Sequence, residues 1–240
     1  MRKTITLVLL SVVLMISSCA ILSKAKMTNG NADKMGGTVL YIAKIKNGEI
    51  LAHDVFIIKR LEDMGFTVTP RYAKELEGAE ALEYDYIYMS ESNSSGDLKA
   101  KFIDVPNPIL SCEMWIGDEM GFTSSEKGVG NGNKENVYQD IKITAPDHPI
   151  AAGLNGVVNV LSAKGTMGFG KPGGDVTIIA SAADDPETAF IFAYEQGAKN
   201  MNGEVVPGLR VWHYLFENTE GITTKKAWQI WEAAVRYTFK

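Results

Sequence analysis

The sequence predicts an α/β fold with a mostly parallel central sheet. Residues 38–43 form an apolar, β-branched run typical of a buried strand, and residues 49–64 place apolar side chains at helical spacing. Further apolar runs at 66–72, 84–90 and 108–112 predict three more strands. Because strands and helices alternate, we expect parallel strands joined by right-handed crossovers and covered on both faces.

The remainder of the chain predicts additional strands with few helices between them. These strands are expected at 137–144, 157–162, 176–181, 189–194 and 209–215. Two helices complete the prediction, a short one over 73–82 and a terminal one over 224–239. Because strands joined without a helix pair antiparallel, we expect a mixed sheet within a single domain over 38–240.

Length and composition are those of a globular domain. The chain has 240 residues, of which 45% are apolar and 22% are charged, so it can bury a large core without metal or disulfide support. The net charge is −5, and no cluster of Lys and Arg occurs. Since phosphate binding needs such a cluster, we expect no nucleic-acid partner.

The first residues predict an export signal. A basic start is followed by an apolar run over 5–16, too short to span a bilayer, and then by small residues. The segment Ile-Ser-Ser-Cys at 16–19 resembles the lipobox of bacterial lipoproteins. That resemblance implies a signal peptide over 1–18, lipid on Cys19 and an extracytoplasmic protein anchored to a membrane of the cell envelope. The alternative is a secretory signal cleaved elsewhere. Cleavage before Cys19 removes two positive charges and no negative one, which changes the net charge from −5 to −7.

Three glycine-containing segments are interpreted as connections between ordered elements. Residues 19–37 read as a flexible tether. Residues 128–133 are a Gly/Asn-rich loop, long enough to be mobile or functional. Residues 168–173 match the glycine fingerprint of dinucleotide sites but precede a strand rather than a helix, so we expect a turn there.

The three histidines and Cys112 are interpreted as structural. None of His53, His148 and His213 has metal-ligand spacing, and the sequence predicts neither a metal nor a cofactor. His148 lies in the rigid turn Pro-Asp-His-Pro and stays a candidate site residue. Cys112 ends an apolar run, where a lone cysteine is usually buried and unreactive.

Two carboxylates follow neighbouring strands of the predicted sheet. Glu91 comes directly after the strand at 84–90, and Glu113 comes directly after the strand at 108–112. In a sheet of order 2-1-3-4 both emerge at the carboxyl edge, where such sheets bind ligands. Two neighbouring carboxylates can serve as acid and base or hold a cation. Alternatively, one caps the following helix and the other is solvated.

Four stretches carry a family resemblance. They are Thr-Val-Leu-Tyr-Ile-Ala at 38–43, Tyr-Asp-Tyr-Ile-Tyr-Met-Ser at 84–90, Asp-His-Pro-Ile-Ala-Ala-Gly-Leu at 147–154 and Gly-Leu-Arg-Val-Trp-His-Tyr at 208–214. With these stretches, the order of elements resembles the class I glutamine amidotransferase-like fold and, within it, the ThuA-like (trehalose-utilisation) group. The resemblance implies a flavodoxin-like three-layer sandwich, with a mostly parallel sheet and added antiparallel strands, and a link to carbohydrates.

The sequence departs from the amidotransferases at the nucleophile. In that family a cysteine lies on a Gly-x-Cys-x-Gly turn after the strand that corresponds to 108–112. Here the turn reads Ser-Cys-Glu-Met-Trp at 111–115, so Glu113 rather than Cys112 falls closest to the nucleophile position. The family's His-x-Glu pair is also absent after His213. Because a thiol nucleophile needs an adjacent base and an exposed setting, we expect no glutamine hydrolysis.

Two functions are compatible with these residues. The first is a binding module for a small polar or carbohydrate ligand, in which an aromatic ring offers a stacking face. Its expected ligand-binding residues are Ser90, Glu91, Ser92, Glu113, Trp115 and His148. The second is a hydrolase that uses Glu113 as general base or nucleophile, assisted by Glu91 or His148. A structural envelope protein without a ligand is a third alternative.

Overall fold

The computed structural model describes residues 35–126 and 128–240, which belong to one compact unit spanning Asp33–Lys240. The predicted signal peptide, Cys19 and most of the predicted tether lie outside the described residues. Within the described part of the chain, no helix combines the length and apolar character needed to cross a membrane.

The described residues form thirteen strands, three α-helices and four 3₁₀ helices. The strands are β1 (Thr38–Ala43), β2 (Ile45–Lys46), β3 (Glu49–Ile50), β4 (Thr67–Tyr72), β5 (Tyr86–Met89), β6 (Ile109–Ser111), β7 (Asn131–Tyr138), β8 (Asp140–Ile143), β9 (Gly156–Asn159), β10 (Gly165–Gly170), β11 (Thr177–Ser181), β12 (Ala189–Tyr194) and β13 (Arg210–His213). The α-helices are α1 (Ala52–Asp63), α2 (Ser95–Leu98) and α3 (Lys225–Thr238). The 3₁₀ helices are Ala73–Glu75, Gly78–Glu83, Met114–Ile116 and Pro149–Ala151.

Five parallel strands form the centre of the large sheet, in the order β4-β1-β5-β6-β13. The buried, apolar residues of β1, β5 and β6 are typical of parallel strands covered on both faces. The first four strands follow the predicted order, and β13 extends it to the 2-1-3-4-5 order of flavodoxin-like sheets. The predicted α/β fold with a mostly parallel core is confirmed.

Antiparallel strands extend the sheet beyond β13. They follow in the order β12-β11-β8-β9, and β10 and β7 form a further antiparallel pair joined to β12. No α-helix lies between the described strands β7 and β13, so the helical crossovers that usually join parallel strands are not formed there. The mixed sheet expected from the second half of the chain is therefore confirmed.

Helices α1 and α3 cover one face of the sheet, and shorter elements cover the other. Helix α3 buries residues at helical spacing, which places Trp231 against Tyr88 of β5 with their ring centroids 6.3 Å apart. Its first turn is capped by Thr224, whose hydroxyl accepts a hydrogen bond from the Ala227 amide at 3.2 Å. A second hydrophobic cluster, on the other face of the sheet, includes Met89 and Trp212. The two covered faces give a flavodoxin-like sandwich.

Two glycine-containing segments depart from the predicted connections. A turn was predicted over 168–173, but the first residues of this segment belong to β10. A Cβ at Gly168 would approach the Met114 side chain to 2.6 Å. Close packing, rather than a turn, therefore requires this glycine. The predicted loop over 128–133 shortens to a turn, because β7 begins at Asn131. The buried Asn131 side chain donates to Thr123 Oγ1 at 2.9 Å.

Two predicted helices also differ from the structure. The helix expected over 49–64 begins only at Ala52, because Glu49–Ile50 pairs with β2. The helix expected over 73–82 is replaced by two 3₁₀ helices. The backbone carbonyl of Lys101 lies close to Gly78, and Lys101 Nζ donates to the carbonyls of Ala73 and Leu76, which a continuous helix would have used for its own hydrogen bonds.

Candidate functional site

The register of β5 and β6 brings the two predicted carboxyls together. Met89 pairs with Ser111, and the Cys112 amide donates to the Met89 carbonyl at 2.8 Å. Glu91 and Glu113 each lie two residues beyond that pair. Since neighbouring strands run about 4.8 Å apart, both glutamates leave the sheet side by side at its carboxyl edge.

Glu91 is largely buried at this edge. Only 9% of the residue is exposed, and its Oε2 accepts a hydrogen bond from the Glu217 amide at 3.2 Å. Burial raises the pKa of Glu91 to about 9, and the negative charge of Glu113 adds to the increase. Glu91 is therefore protonated at neutral pH. Its carboxyl lies close enough to that of Glu113 for the two charges to interact.

Glu113 is more deeply buried, with 2% of the residue exposed. It caps the 3₁₀ helix Met114–Ile116, because its Oε1 accepts a hydrogen bond from the Trp115 amide at 2.8 Å. Burial raises the pKa of Glu113 to about 8, and the charge of Glu119 contributes in the same direction. Glu113 thus caps the following helix and also lies at the carboxyl edge of the sheet.

Asp54 is a third buried acid at the same edge, and the sequence interpretation missed it. It is fully buried in the first turn of α1, where its Oδ1 accepts hydrogen bonds from Tyr41 Oη at 2.9 Å and from Ser90 Oγ. Its charge also contributes to the raised pKa of Glu91. The available signal was an acid on the apolar face of a predicted helix, three residues before the buried Ile57.

Ser90 and Ser92 hold the chain in place after β5. Ser90 Oγ accepts the Ser92 amide at 3.2 Å, and Ser92 Oγ accepts the Lys44 amide at the same distance. Both serines are buried, with 1% and 7% of the residue exposed. Both hydroxyls form hydrogen bonds within the protein. The two serines therefore position Glu91.

Trp115 lies beside Glu113 and is partly exposed. Its ring packs on the backbone of β7, where a Cβ at Gly132 would approach it to 2.8 Å. In the amide orientation that satisfies both groups, the Asn133 side-chain oxygen accepts a hydrogen bond from Trp115 Nε1 at 3.0 Å. One side of the indole ring is thus occupied by β7.

The structure separates His148 from the two glutamates. His148 packs on Tyr237 near the end of α3, with ring centroids 4.7 Å apart, and burial lowers its pKa. The adjacent Phe239 stacks on Tyr86, the first residue of β5. Because Tyr86 marks the amino edge of the parallel strands, His148 lies at the edge opposite to Glu113 and does not share its site.

The other two histidines have structural contacts. His53 is buried, and its Nδ1 lies 3.2 Å from Glu220 Oε2. His213 is fully buried at the end of β13, where its Nδ1 accepts the Leu215 amide at 3.2 Å. Burial lowers the pKa of His213 to about 3, so this side chain is neutral at physiological pH.

Cys112 is buried, as the sequence predicts, with 2% of the residue exposed. Its Sγ lies 3.3 Å from Tyr88 Oη, and Tyr88 Oη in turn accepts a hydrogen bond from Trp231 Nε1. Burial raises the pKa of the thiol to about 12. A thiol in that setting is not a nucleophile.

Three cavities among the described residues lie away from the carboxyl edge. They have volumes of about 160, 470 and 420 Å³. The first lies near Met120 and Val205, the second near Tyr138 and Val157, and the third near Tyr237. Glu91 and Glu113 line none of the three.

Within the described part of the chain, no group of three or more His, Cys, Asp or Glu side chains is arranged to hold a metal ion. No protein-family model matches the sequence, and no curated protein is significantly similar to it. What the structure defines is an α/β sandwich with a large mixed sheet and buried carboxyls at the carboxyl edge of its parallel strands.

Proposed function

We propose that this chain is a lipid-anchored binding module of the bacterial cell envelope, which takes a small polar or carbohydrate ligand at the carboxyl edge of its parallel strands. One observation carries the proposal: the register of β5 and β6 places Glu91 and Glu113 side by side at the position where open α/β sheets bind ligands. Lipid on Cys19 remains part of the proposal and rests on the lipobox-like segment at 16–19.

The surroundings of Glu91 and Glu113 favour a ligand-binding role over a purely structural one. Burying two neighbouring carboxyls costs free energy unless each finds hydrogen-bond partners. Glu91 and Glu113 accept one backbone hydrogen bond each. Their remaining hydrogen-bonding capacity is suited to hydroxyl or N–H groups of a ligand, and the neighbouring Trp115 offers an aromatic surface.

Glutamine hydrolysis is not part of the proposal, because the only cysteine near the expected nucleophile position is the buried Cys112. The ThuA-like resemblance supports carbohydrate as a first ligand class to test. We expect calorimetric titration with a panel of sugars to give binding that Glu113→Gln weakens by about tenfold or more. Absence of binding at about 10 mM of every sugar and every other small polar compound tested would count against a binding role.

A hydrolase that uses the same carboxyls is the second candidate. The raised pKa values of Glu91 and Glu113 suit a general acid near neutral pH. A base is harder to assign, since His148 lies at the opposite edge. Steady release of product from chromogenic glycosides, abolished by Glu113→Gln, would favour this hydrolase over simple binding. Turnover that persists in Glu113→Gln would exclude the mechanism.

A further inference from the structure

The cavity of about 470 Å³ lies in the antiparallel extension of the sheet. Its volume falls within the range of about 300–1,000 Å³ that is typical of small-molecule sites, whereas the cavity of about 160 Å³ is smaller than that range. It lies where the end of β7, the paired strands β8 and β9 and the loop after β11 meet. The residues that line it are Val137, Tyr138, Gln139, Asp140, Val157, Lys164, Ala183 and Asp184.

The pairing of β8 with β9 gives this cavity an apolar wall. Ile141 and Val158 are paired and buried in the core. Because successive side chains of a strand point to opposite faces, the preceding residues Asp140 and Val157 lie on the other face, where they line the cavity. Val157 is 62% exposed, and Val137 of β7, which lines the same cavity, is 48% exposed. Exposed apolar side chains that share one hollow indicate a binding surface more strongly than single exposed residues do.

The same cavity carries charged groups of both signs. Asp140 and Asp184 supply two carboxylates, and Lys164 supplies one ammonium group. In the part of the chain that the structure describes, none of these three residues forms a salt bridge. Asp184 and Lys164 are exposed, and Asp140 is partly exposed and accepts a hydrogen bond from Asn159 Nδ2 at 3.0 Å. The charged groups are therefore open to a ligand that carries charges of its own.

Tyr138 connects the cavity to the core. Its ring packs on the buried Phe190, with ring centroids 5.2 Å apart. Burial raises the pKa of Tyr138, and the charge of Asp184 raises it further, so the Asp184 carboxylate lies near the Tyr138 hydroxyl. The core thus holds this side of the cavity in place, next to one of the two carboxylates.

We propose that this cavity binds an amino acid with an apolar side chain in its zwitterionic form. Asp140 and Asp184 hold its ammonium group, and Lys164 holds its carboxylate. Its side chain covers Val137 and Val157. Because hydrogen bonds between charged groups are stronger than those of neutral hydroxyls, a zwitterion fits this set of charges better than a sugar does. The site is additional to the one proposed at the carboxyl edge and does not depend on it.

The first test compares leucine with molecules that lack one of its charges. The full chain is titrated calorimetrically with leucine, with 4-methylpentanoate, which has no ammonium group, and with 3-methylbutylamine, which has no carboxylate. We expect leucine to bind about tenfold or more tightly than either analogue, and more tightly than glucose. An analogue or glucose that binds as tightly as leucine, or leucine that does not bind at about 50 mM, would overturn the inference.

The second test removes the charges of the cavity one at a time. Asp184→Asn and Lys164→Gln alter exposed side chains, so both variants should fold, and each should weaken leucine binding about tenfold. The matched controls Asp63→Asn and Lys225→Gln alter exposed side chains outside the cavity and should preserve leucine binding. Unchanged leucine affinity in either cavity variant would contradict the proposed contacts.

A third measurement locates the ligand on the unaltered chain. The methyl resonances of Val137 and Val157 should shift on addition of leucine, because its side chain covers both. Those of Val55, which is 53% exposed on α1 and lies outside the cavity, should stay in place. Leucine-induced shifts that spare both cavity valines would overturn the assignment of the ligand to this cavity.

Discussion

Replacing Glu113 by Gln is expected to change how the stability of the protein depends on pH. Burial raises the pKa of Glu113 from 4.5 to about 8 in the folded state, whereas the unfolded chain ionises near the ordinary value. Between these two values the unfolded chain has lost the proton and the folded chain keeps it. The free energy of unfolding therefore falls as pH rises, by about 1.4 kcal/mol per pH unit from this carboxyl.

The expected difference is about 3 kcal/mol at pH 7 and approaches zero below about pH 4, where both states are protonated. Glutamine preserves the shape of the protonated side chain and its acceptor for the Trp115 amide, so it removes the ionisation and little else. Glu91, with a pKa of about 9, contributes in the same direction in both proteins, and its pKa falls in the variant because the charge of Glu113 is removed.

The assay is urea unfolding of the wild type, Glu113→Gln and the control Glu62→Gln, at intervals from about pH 5 to pH 8. Glu113→Gln should become progressively more stable than the wild type as the pH rises, while Glu62→Gln follows the wild type. Parallel curves for the wild type and Glu113→Gln would show that the folded protein does not hold a proton on Glu113.

Three further predictions concern the structure around the sheet. Arg210 is fully buried and donates to the carbonyls of three residues, so Arg210→Met should lower the free energy of unfolding by about 3 kcal/mol in urea titrations; an unchanged midpoint would contradict this network. Gly132→Ala should displace the Trp115 ring and lower stability by about 2 kcal/mol, because φ is +137° and a Cβ would meet that ring; unaltered indole N–H shifts would refute the contact. In a Cys19→Ser chain, Cys112 should react with a thiol reagent at pH 8 only after unfolding, and rapid labelling of the native protein would contradict its burial.

The sequence predicted strands best where apolar side chains are continuous. The expected strand over 38–43 coincides with β1, and the expected strand over 189–194 coincides with β12, because buried β-branched and aromatic runs leave little alternative. Helix α3 was predicted to within one residue at each end, since its Thr224 cap and its helical periodicity agree.

Predictions failed where glycine was taken as a breaker of structure. Gly168 lies inside β10 because Met114 packs against its α-carbon, and that contact joins segments more than fifty residues apart. A single sequence does not reveal such an approach. The start of β7 likewise involves a contact outside the local sequence, since the buried Asn131 donates to Thr123 on another loop.

The candidate site was predicted in part. The sheet order brings Glu91 and Glu113 to one edge as expected, because β5 and β6 are adjacent parallel strands that both end there. His148 was expected there too, but its turn packs on the end of α3 at the opposite edge. The role of Asp54 depends on which face of α1 meets the sheet, and tertiary packing decides that.

Carbon-detected NMR titration of the glutamate carboxyls tests most directly whether the two strand ends form one shared acidic site. The resonances of Glu91 and Glu113 are expected to titrate at about pH 9 and about pH 8, and Glu113→Gln should shift the midpoint of Glu91 downward. Midpoints near 4.5 for both carboxyls, or a midpoint of Glu91 that does not respond to Glu113→Gln, would contradict the shared site.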